Sequence, residues 1–182
     1  VVPKYQLLIK SFLKKKYDIF FKEIKDKKIK KIVKINIKNK NQVGSDRIAN
    51  AVGVYKKYKT NSIVLDFGTA TTFDVVNSNG VYNGGVIAPG INLSVKSLTR
   101  SADQIPLFLV KKQKKIIGKN TIEALRSGFY WGYLGLINNI IFMIEKETKK
   151  KYKIIFTGGH ANLFKNSIIR SFTIDKNMTI EG

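Results

Sequence analysis

The sequence predicts an α/β fold. Three observations predict it. Ser62 to Leu65, Thr71 to Val76 and Val81 to Ala88 are apolar or alternating runs, divided by a Gly68 turn and by Asn77-Ser78-Asn79-Gly80. They read as three consecutive antiparallel strands. A long apolar helix runs from Thr121 to about Thr148, and Tyr152 to Phe156 reads as a buried strand halted by Gly158-Gly159. From Asn61 onward the order is strand, strand, strand, helix, helix, strand, helix, an α/β layout of the ribonuclease H-like kind.

The remaining elements follow in order. Tyr5 to Lys15 is patterned as a short amphipathic helix. Strand-like pieces surround Tyr17 to Phe21 and Ile29 to Ile37, and in the second, lysines alternate with Ile and Val at the period of a half-buried strand. Lys38 to Val43 is polar and turn-like, a linker. Gly44-Ser45-Asp46 opens a helix through about Tyr58, with Ser45 as the expected N-cap and Asp46 in the first turn. After Pro89-Gly90 the pattern turns helical to about Ser101, and another short helix is expected after Gly159. The 182 residues fit one domain of ordinary size, or one domain and a piece of a second. The chain opens without Met, in what reads as a strand end, so the natural chain is expected to begin upstream.

Composition bounds the function. With 43% apolar residues a real core is possible, and with no cysteine there is no disulfide framework and no thiolate metal site or nucleophile. A cytoplasmic location is the expectation, because no apolar run approaches the roughly 20 residues that cross a bilayer. The formal charge of +22 favours a polyanionic partner by itself. Against a dedicated nucleic-acid surface, the excess is nearly all Lys, the arginines being Arg47, Arg100, Arg126 and Arg170. Aromatic residues are not interleaved with the basic runs as base-stacking platforms would be. Scattered lysines with abundant Ile and Asn fit a compositional bias of the coding sequence better.

Several motifs carry chemistry. Asp66-Phe67-Gly68-Thr69-Ala70-Thr71-Thr72 sits at a predicted hairpin, where a tight turn with small hydroxyl residues points N–H groups and hydroxyls into one concavity, as a phosphate cradle requires. A carboxylate at the strand end can hold a cation beside such phosphates. An ordinary glycine turn would look the same. Gly84-Gly85-Val86-Ile87-Ala88-Pro89-Gly90 brackets a strand with glycines that admit close approach of a ligand or of backbone. Thr157-Gly158-Gly159 follows a buried strand, a position where nucleotides bind in α/β sheets, although a plain loop would share the pattern. Asp74 lies on the strand face of Thr72 and reads as structural or supporting. His160 reads as a loop histidine, and Tyr130, Trp131 and Tyr133 as a core or dimer face of the long helix.

Gly44-x-Asp46-Arg47-x-x-Asn50-Ala51, Asp66-x-Gly68-Thr69-Ala70-x-Thr72-x-Asp74, Gly84-Gly85-x-Ile87-x-Pro89-Gly90, Gly118-x-Asn120-Thr121-x-x-Ala124-x-x-Ser127-Gly128 and Thr157-Gly158-Gly159 occur in this order. Together they resemble type III pantothenate kinases over nearly the whole chain. The resemblance implies the acetate and sugar kinase, Hsp70 and actin superfamily, with two ribonuclease H-like domains, ATP and pantothenate as substrates, and a homodimer. It divides the chain into 1–43, the end of the first domain, and 44–182, the second. It implies Asp46 as catalytic base, Gly44, Arg47 and Thr121 at pantothenate, and Gly68, Thr69, Thr71, Thr72, Gly158 and Gly159 at ATP. It implies Asp66 at a monovalent cation, K⁺ or NH₄⁺, with Mg²⁺ accompanying ATP.

The resemblance also sets expectations about what is missing. The family's opening Asp-x-Gly-Asn-Thr phosphate loop is not in the chain, and its closing leucine-rich strand and helix are expected after Gly182. Both ends thus read as cut, and this piece alone is expected to be inactive. Where members carry a Tyr and an Asn-Pro pair before the Gly44 motif, this chain has Ile37 and Asn39-Lys40. Two other readings stand beside the kinase: a non-catalytic regulatory paralogue that binds nucleic acid, and a different small-molecule kinase of the superfamily.

Overall fold

The computed structural model describes residues 3–18, 32–165, 167, 168 and 170–182. In chain order it contains α1 (Pro3–Tyr17), β1 (Lys34–Ile35), a 3₁₀ turn (Lys40–Gln42), α2 (Ser45–Tyr58), β2 (Ser62–Phe67), β3 (Ala70–Val76), β4 (Val81–Pro89), α3 (Ile91–Ser101), α4 (Thr121–Thr148), β5 (Lys153–Gly158), β6 (Phe172–Ile174) and α5 (Met178–Glu181). The strands form one mixed sheet in the order β1-β4-β3-β2-β5-β6. As the alternating runs predict, β2, β3 and β4 pair antiparallel. The other pairs, β1 with β4, β2 with β5 and β5 with β6, are parallel.

Period-two alternation divides the core between the two faces of the sheet. Ile63, Leu65 and Phe67 of β2, Phe73 and Val75 of β3, and Ile154 and Phe156 of β5 pack with Tyr130, Ile137 and Ile141 of α4. Val64, Val76, Tyr82 and Ile155 point the other way and pack with Ile48 and Val52 of α2 and Met178 of α5. Both faces of β2 are therefore covered, which explains its unbroken apolar run at Ile63-Val64-Leu65. Asn120 caps α4 by accepting the Glu123 N–H at 2.9 Å, while Glu123 accepts the Lys119 N–H at 2.8 Å. The Glu123 donor of the first turn is thereby satisfied, and the Glu123 carboxylate ties back to the residue before the cap. Helices α2 and α4 both end on a left-handed lysine, Lys59 at φ 48° and Lys149 at φ 54°.

Some expectations need correction. Gly44, in extended conformation, is the N-cap of α2, and Ser45 is the first helical residue with no side-chain capping bond. Of the piece from Tyr17 to Phe21, Tyr17 closes α1 and the part beyond Asp18 lies outside the described residues. Of Ile29 to Ile37, the first three residues lie outside them and the strand is confined to Lys34–Ile35. The Lys38 to Val43 stretch holds the 3₁₀ turn and ends on a buried Val43, packed in the α2 core rather than solvated as in a linker. After Gly159, successive turns replace the expected helix: Leu163 N–H bonds to His160 O and Lys165 N–H to Asn162 O, each closing over three residues and not the four of an α-helix. β6 and α5 were not expected, since three and four residues carry too little periodicity to be seen. Helix α1 is present, but Leu7, Leu8 and Phe12 on it are exposed.

Ile137 is fully buried under the sheet. Ile137→Ala should lower unfolding free energy by about 2–5 kcal/mol through lost transfer energy and a residual cavity. Urea denaturation read by circular dichroism should show a lower midpoint with an unchanged slope.

Candidate active site

The carboxyl ends of β2 and β5 lie side by side, and the polar residues of the motifs meet there. In the register, Asp66 of β2 stands opposite Thr72 of β3 on one side and Thr157 of β5 on the other. Strand alternation turns all three towards the face that carries α2. This row of two hydroxyls flanking a carboxylate sits where ligands bind in open α/β sheets.

Helix α2 is held over this row by two polar links. Asn50, fully buried, donates from Nδ2 to Asp66 Oδ2 at 3.2 Å. One turn earlier, Arg47 Nε donates to Asp74 Oδ1 at 2.6 Å. Asp74 is fully buried and also accepts from the Tyr82 hydroxyl at 3.1 Å and the Thr72 hydroxyl at 3.3 Å. Burial pushes the Asp74 carboxyl above its usual range, and the Arg47 charge and the three hydrogen bonds pull it back only in part. Tyr82 titrates well above an ordinary phenol, through burial first and the Asp74 charge second. The Arg47 guanidinium lies over the Tyr82 ring at 5.7 Å, and its Nη2 is buried with no hydrogen-bond partner among the described residues. One edge of the guanidinium is therefore spent on Asp74, and the other is a donor fixed in place and unused.

Asp46 is exposed in the first turn of α2, where its Oδ1 accepts the Arg47 N–H at 2.9 Å. It does not pair with the Arg47 side chain, which turns to Asp74 instead. Asp66 is half-buried. Burial raises its pKa, the Asn50 hydrogen bond opposes this, and the nearby Asp46 charge adds to the rise. Two carboxylates thus share one corner at the positive end of α2.

Gly68 and Thr69 form the exposed tip of the β2–β3 hairpin, closed by a Gly68 N–H bond to Ala70 O at 3.1 Å. The Gly90 N–H bonds to Thr69 O at 3.1 Å and ties this tip to the start of α3. Gly158 has φ +84°, and a Cβ there would lie 2.6 Å from Asp66 Oδ1. Both its conformation and the space beside Asp66 require glycine. Gly159 is exposed next to it and bonds through N–H to Phe67 O at 3.1 Å.

The expected residues do not all converge. Gly44, Asp46, Arg47, Asp66, Gly68, Thr69, Thr72, Gly158 and Gly159 lie around the strand ends and the start of α2. Thr71 points to the opposite face, where its hydroxyl is buried without a partner among the described residues. Thr121 is exposed at the start of α4, on that same opposite face, and lines a cleft of about 800 Å³ with Pro89, Ser94, Phe129 and Tyr133. Tyr133 donates to Pro89 O at 2.8 Å and contacts Ser94 Oγ at 3.0 Å, so it braces this cleft. Tyr130 is buried in the core and Trp131 donates to Lys115 O at 3.4 Å. His160 lies in the turn after Gly159. Tyr82 and Thr179, which donates to Asn50 Oδ1 at 2.7 Å, were not anticipated. A tyrosine in a buried strand, which must find a partner for its hydroxyl, was the available signal for the first; nothing local signals the second.

Comparison with known proteins decides the family. Residues 1–142 match the family described as type III pantothenate kinase. The chain belongs to the type III pantothenate kinase family. A type III pantothenate kinase of Pelagibacter ubique is 53% identical over the whole chain, which spans 72% of that protein. Those of Acidiphilium cryptum and Rhodospirillum rubrum are 47% and 43% identical over 81% of the chain, which covers 56% and 58% of their lengths. The fold is shared with a crystal structure from Campylobacter jejuni, described as a conserved Baf family transcriptional activator, at a TM-score of 0.64 and 22% identity over 95% of the chain and 73% of that structure.

Arg47→Met should leave Asp74 buried and uncompensated, lowering stability by about 3–5 kcal/mol at neutral pH. The folded-state pKa of Asp74 is raised, so the folded form binds a proton that the unfolded form releases over the window between the two values. Stability in the variant should therefore recover as pH falls from 7 towards 4, the reverse of a carboxylate whose pKa is depressed by folding. Chemical denaturation at several pH values checks this, and Asp74→Asn in the same background should flatten the dependence.

Proposed function

We propose that the protein transfers the γ-phosphoryl group of ATP to the hydroxyl of pantothenate, the first step of coenzyme A synthesis, on a ribonuclease H-like fold. The observation that carries this reading is the corner where Asp46, Arg47 and Asp66 meet the Gly68-Thr69 and Gly158-Gly159 turns. It joins an exposed carboxylate, an oriented guanidinium donor and two turns suited to phosphate. Phosphoryl transfer demands little covalent chemistry of a protein; it needs alignment, charge neutralisation and a late proton acceptor.

In this reading Asp46 accepts the proton of the attacking hydroxyl, its charge favoured by the start of α2. Gly44, Arg47 and Thr121 bind pantothenate, with the Arg47 guanidinium serving the substrate carboxylate. Gly68, Thr69, Thr71, Thr72, Gly158 and Gly159 serve ATP, although Thr71 must act from the far side of β3. Mg²⁺ arrives with ATP and neutralises phosphate charge. Asp66 fits a monovalent cation, K⁺ or NH₄⁺: burial and the Asp46 charge both disfavour its ionised form, and a cation would relieve both.

The division at residue 43 into the end of one ribonuclease H-like domain and a second is part of the same proposal. So are a homodimer, which the exposed cleft along α4 suits, and a cytoplasmic location. Among the described residues no helix is long and apolar enough to cross a membrane.

Full-length protein supplied with ATP, Mg²⁺, K⁺ and pantothenate should form 4'-phosphopantothenate; a coupled assay that detects none removes the reading. Asp46→Asn should reduce turnover by about 10²–10⁴-fold, the range for a lost general base. ATP affinity, measured by calorimetry, should persist.

A further inference from the structure

A hydrogen-bonded relay joins α5 to the candidate cation carboxylate. Thr179 donates its hydroxyl to Asn50 Oδ1 at 2.7 Å, and Asn50 Nδ2 donates to Asp66 Oδ2 at 3.2 Å. Asn50 is fully buried, so both ends of its amide must find partners inside the protein. An ionised Asp66 only accepts and therefore demands the NH₂ end. The oxygen end then needs a donor, and Thr179 supplies it. Asp66 thus sets which way the amide faces, and the Thr179 hydroxyl, by pairing with the oxygen end, holds it against Asp66.

The seat of Thr179 is fixed on several sides. A Cβ on Gly53 would lie 2.7 Å from Met178 O, and one on Gly182 would lie 1.8 Å from Ala49 O, so α5 touches α2 backbone to backbone. Met178 is fully buried between them. Just upstream, Lys57 Nζ meets Asp175 Oδ2 at 2.6 Å, and Asp175 Oδ1 accepts the Asn177 N–H at 3.2 Å. The side chain is delivered to Asn50 by packing, with little freedom to leave it.

We infer that Thr179 is a positioning residue for the Asp66 cation site, acting by holding the Asn50 amide in place against Asp66. The inference rests on the reading of Asp66 as the monovalent-cation carboxylate. Valine has nearly the shape of threonine and lacks the donor. Thr179→Val leaves the Asn50 oxygen buried and unpaired, and the amide shifts from its seat in search of another donor, drawing its NH₂ end away from Asp66. Asp66 then loses the contact that fixes its rotamer. Removal of such an outer partner typically weakens metal affinity by about 10–100-fold.

The test uses the full-length protein, Thr179→Val and Thr179→Ser, titrated with KCl at ionic strength held constant by tetramethylammonium chloride. Two midpoints are read: the K⁺ concentration that half-raises Tm in the absence of turnover, and the K⁺ concentration that half-activates phosphorylation. Thr179→Val should raise both about tenfold or more, with KM for pantothenate unchanged, and Thr179→Ser should restore both. A Thr179→Val midpoint equal to wild type, or a Ser variant as impaired as Val, overturns the inference while leaving the kinase reading intact. Wild-type protein whose Tm and activity ignore K⁺ overturns the cation reading and the relay with it. If Thr179→Val does not fold, Thr179→Ala removes the same hydroxyl and is judged by the same midpoints.

Discussion

Asp74 is a carboxylate buried in the third strand of a mixed sheet, and most of the polar architecture around it answers the cost of placing it there. Moving such a charge out of water is tolerable only when a cation and additional donors surround it. Arg47 supplies the cation, and Tyr82 and Thr72 the donors. Because Arg47 projects from the first turn of α2, the ion pair fixes where that helix begins relative to the sheet. Asp46, its neighbour in sequence, is placed as a consequence. A structural interaction thereby positions the residues nearest the proposed chemistry.

The two faces of the sheet divide the labour. The α4 face carries the larger apolar core and, at its rim, the cleft beside Thr121. The α2 face exchanges apolar contacts for polar ones towards the carboxyl ends of β2 and β5. Along β2 the transition occurs within three residues, from fully buried Val64 to half-buried Asp66. Gly158 leaves the space into which the Asp66 carboxylate turns. Arg47 and Thr121, the residues proposed for pantothenate, sit on opposite faces and would have to be bridged around the Gly68–Gly90 turn or by a second copy of the chain.

The order of strands and long helices was legible in the sequence because each is set by local pattern. Asn77 to Gly80 forces the β3–β4 turn, period-two alternation marks both strands, and the apolar length of α4 exceeds any strand. The pieces that escaped were short or long-range. β6 and α5 are held by β5 and α2, partners distant in sequence, and their own residues carry almost no periodicity. In the site, Asp46, Arg47 and Asp66 could be singled out by motif, but the partner of Arg47 could not. An arginine next to an aspartate suggests a local pair, whereas the side chain crosses to Asp74, which burial makes the more demanding acceptor. Ser45 was a reasonable cap by residue type, yet Gly44 takes the extended cap conformation and leaves Ser45 inside the helix.

The left-handed lysines that close α2 and α4 show something about the history of the chain. That conformation crowds a β-carbon against the following carbonyl, at a cost of roughly 1–2 kcal/mol that glycine avoids. Finding Lys59 and Lys149 at both positions means that the lysine-rich bias of the sequence extends to sites where backbone geometry favours another residue. Selection has left that slack in place, as expected of a protein held above a threshold of stability and not driven to its maximum. Helix ends that contribute nothing to the proposed chemistry are where mutational drift can accumulate and where a more heat-resistant version of the protein is most easily made.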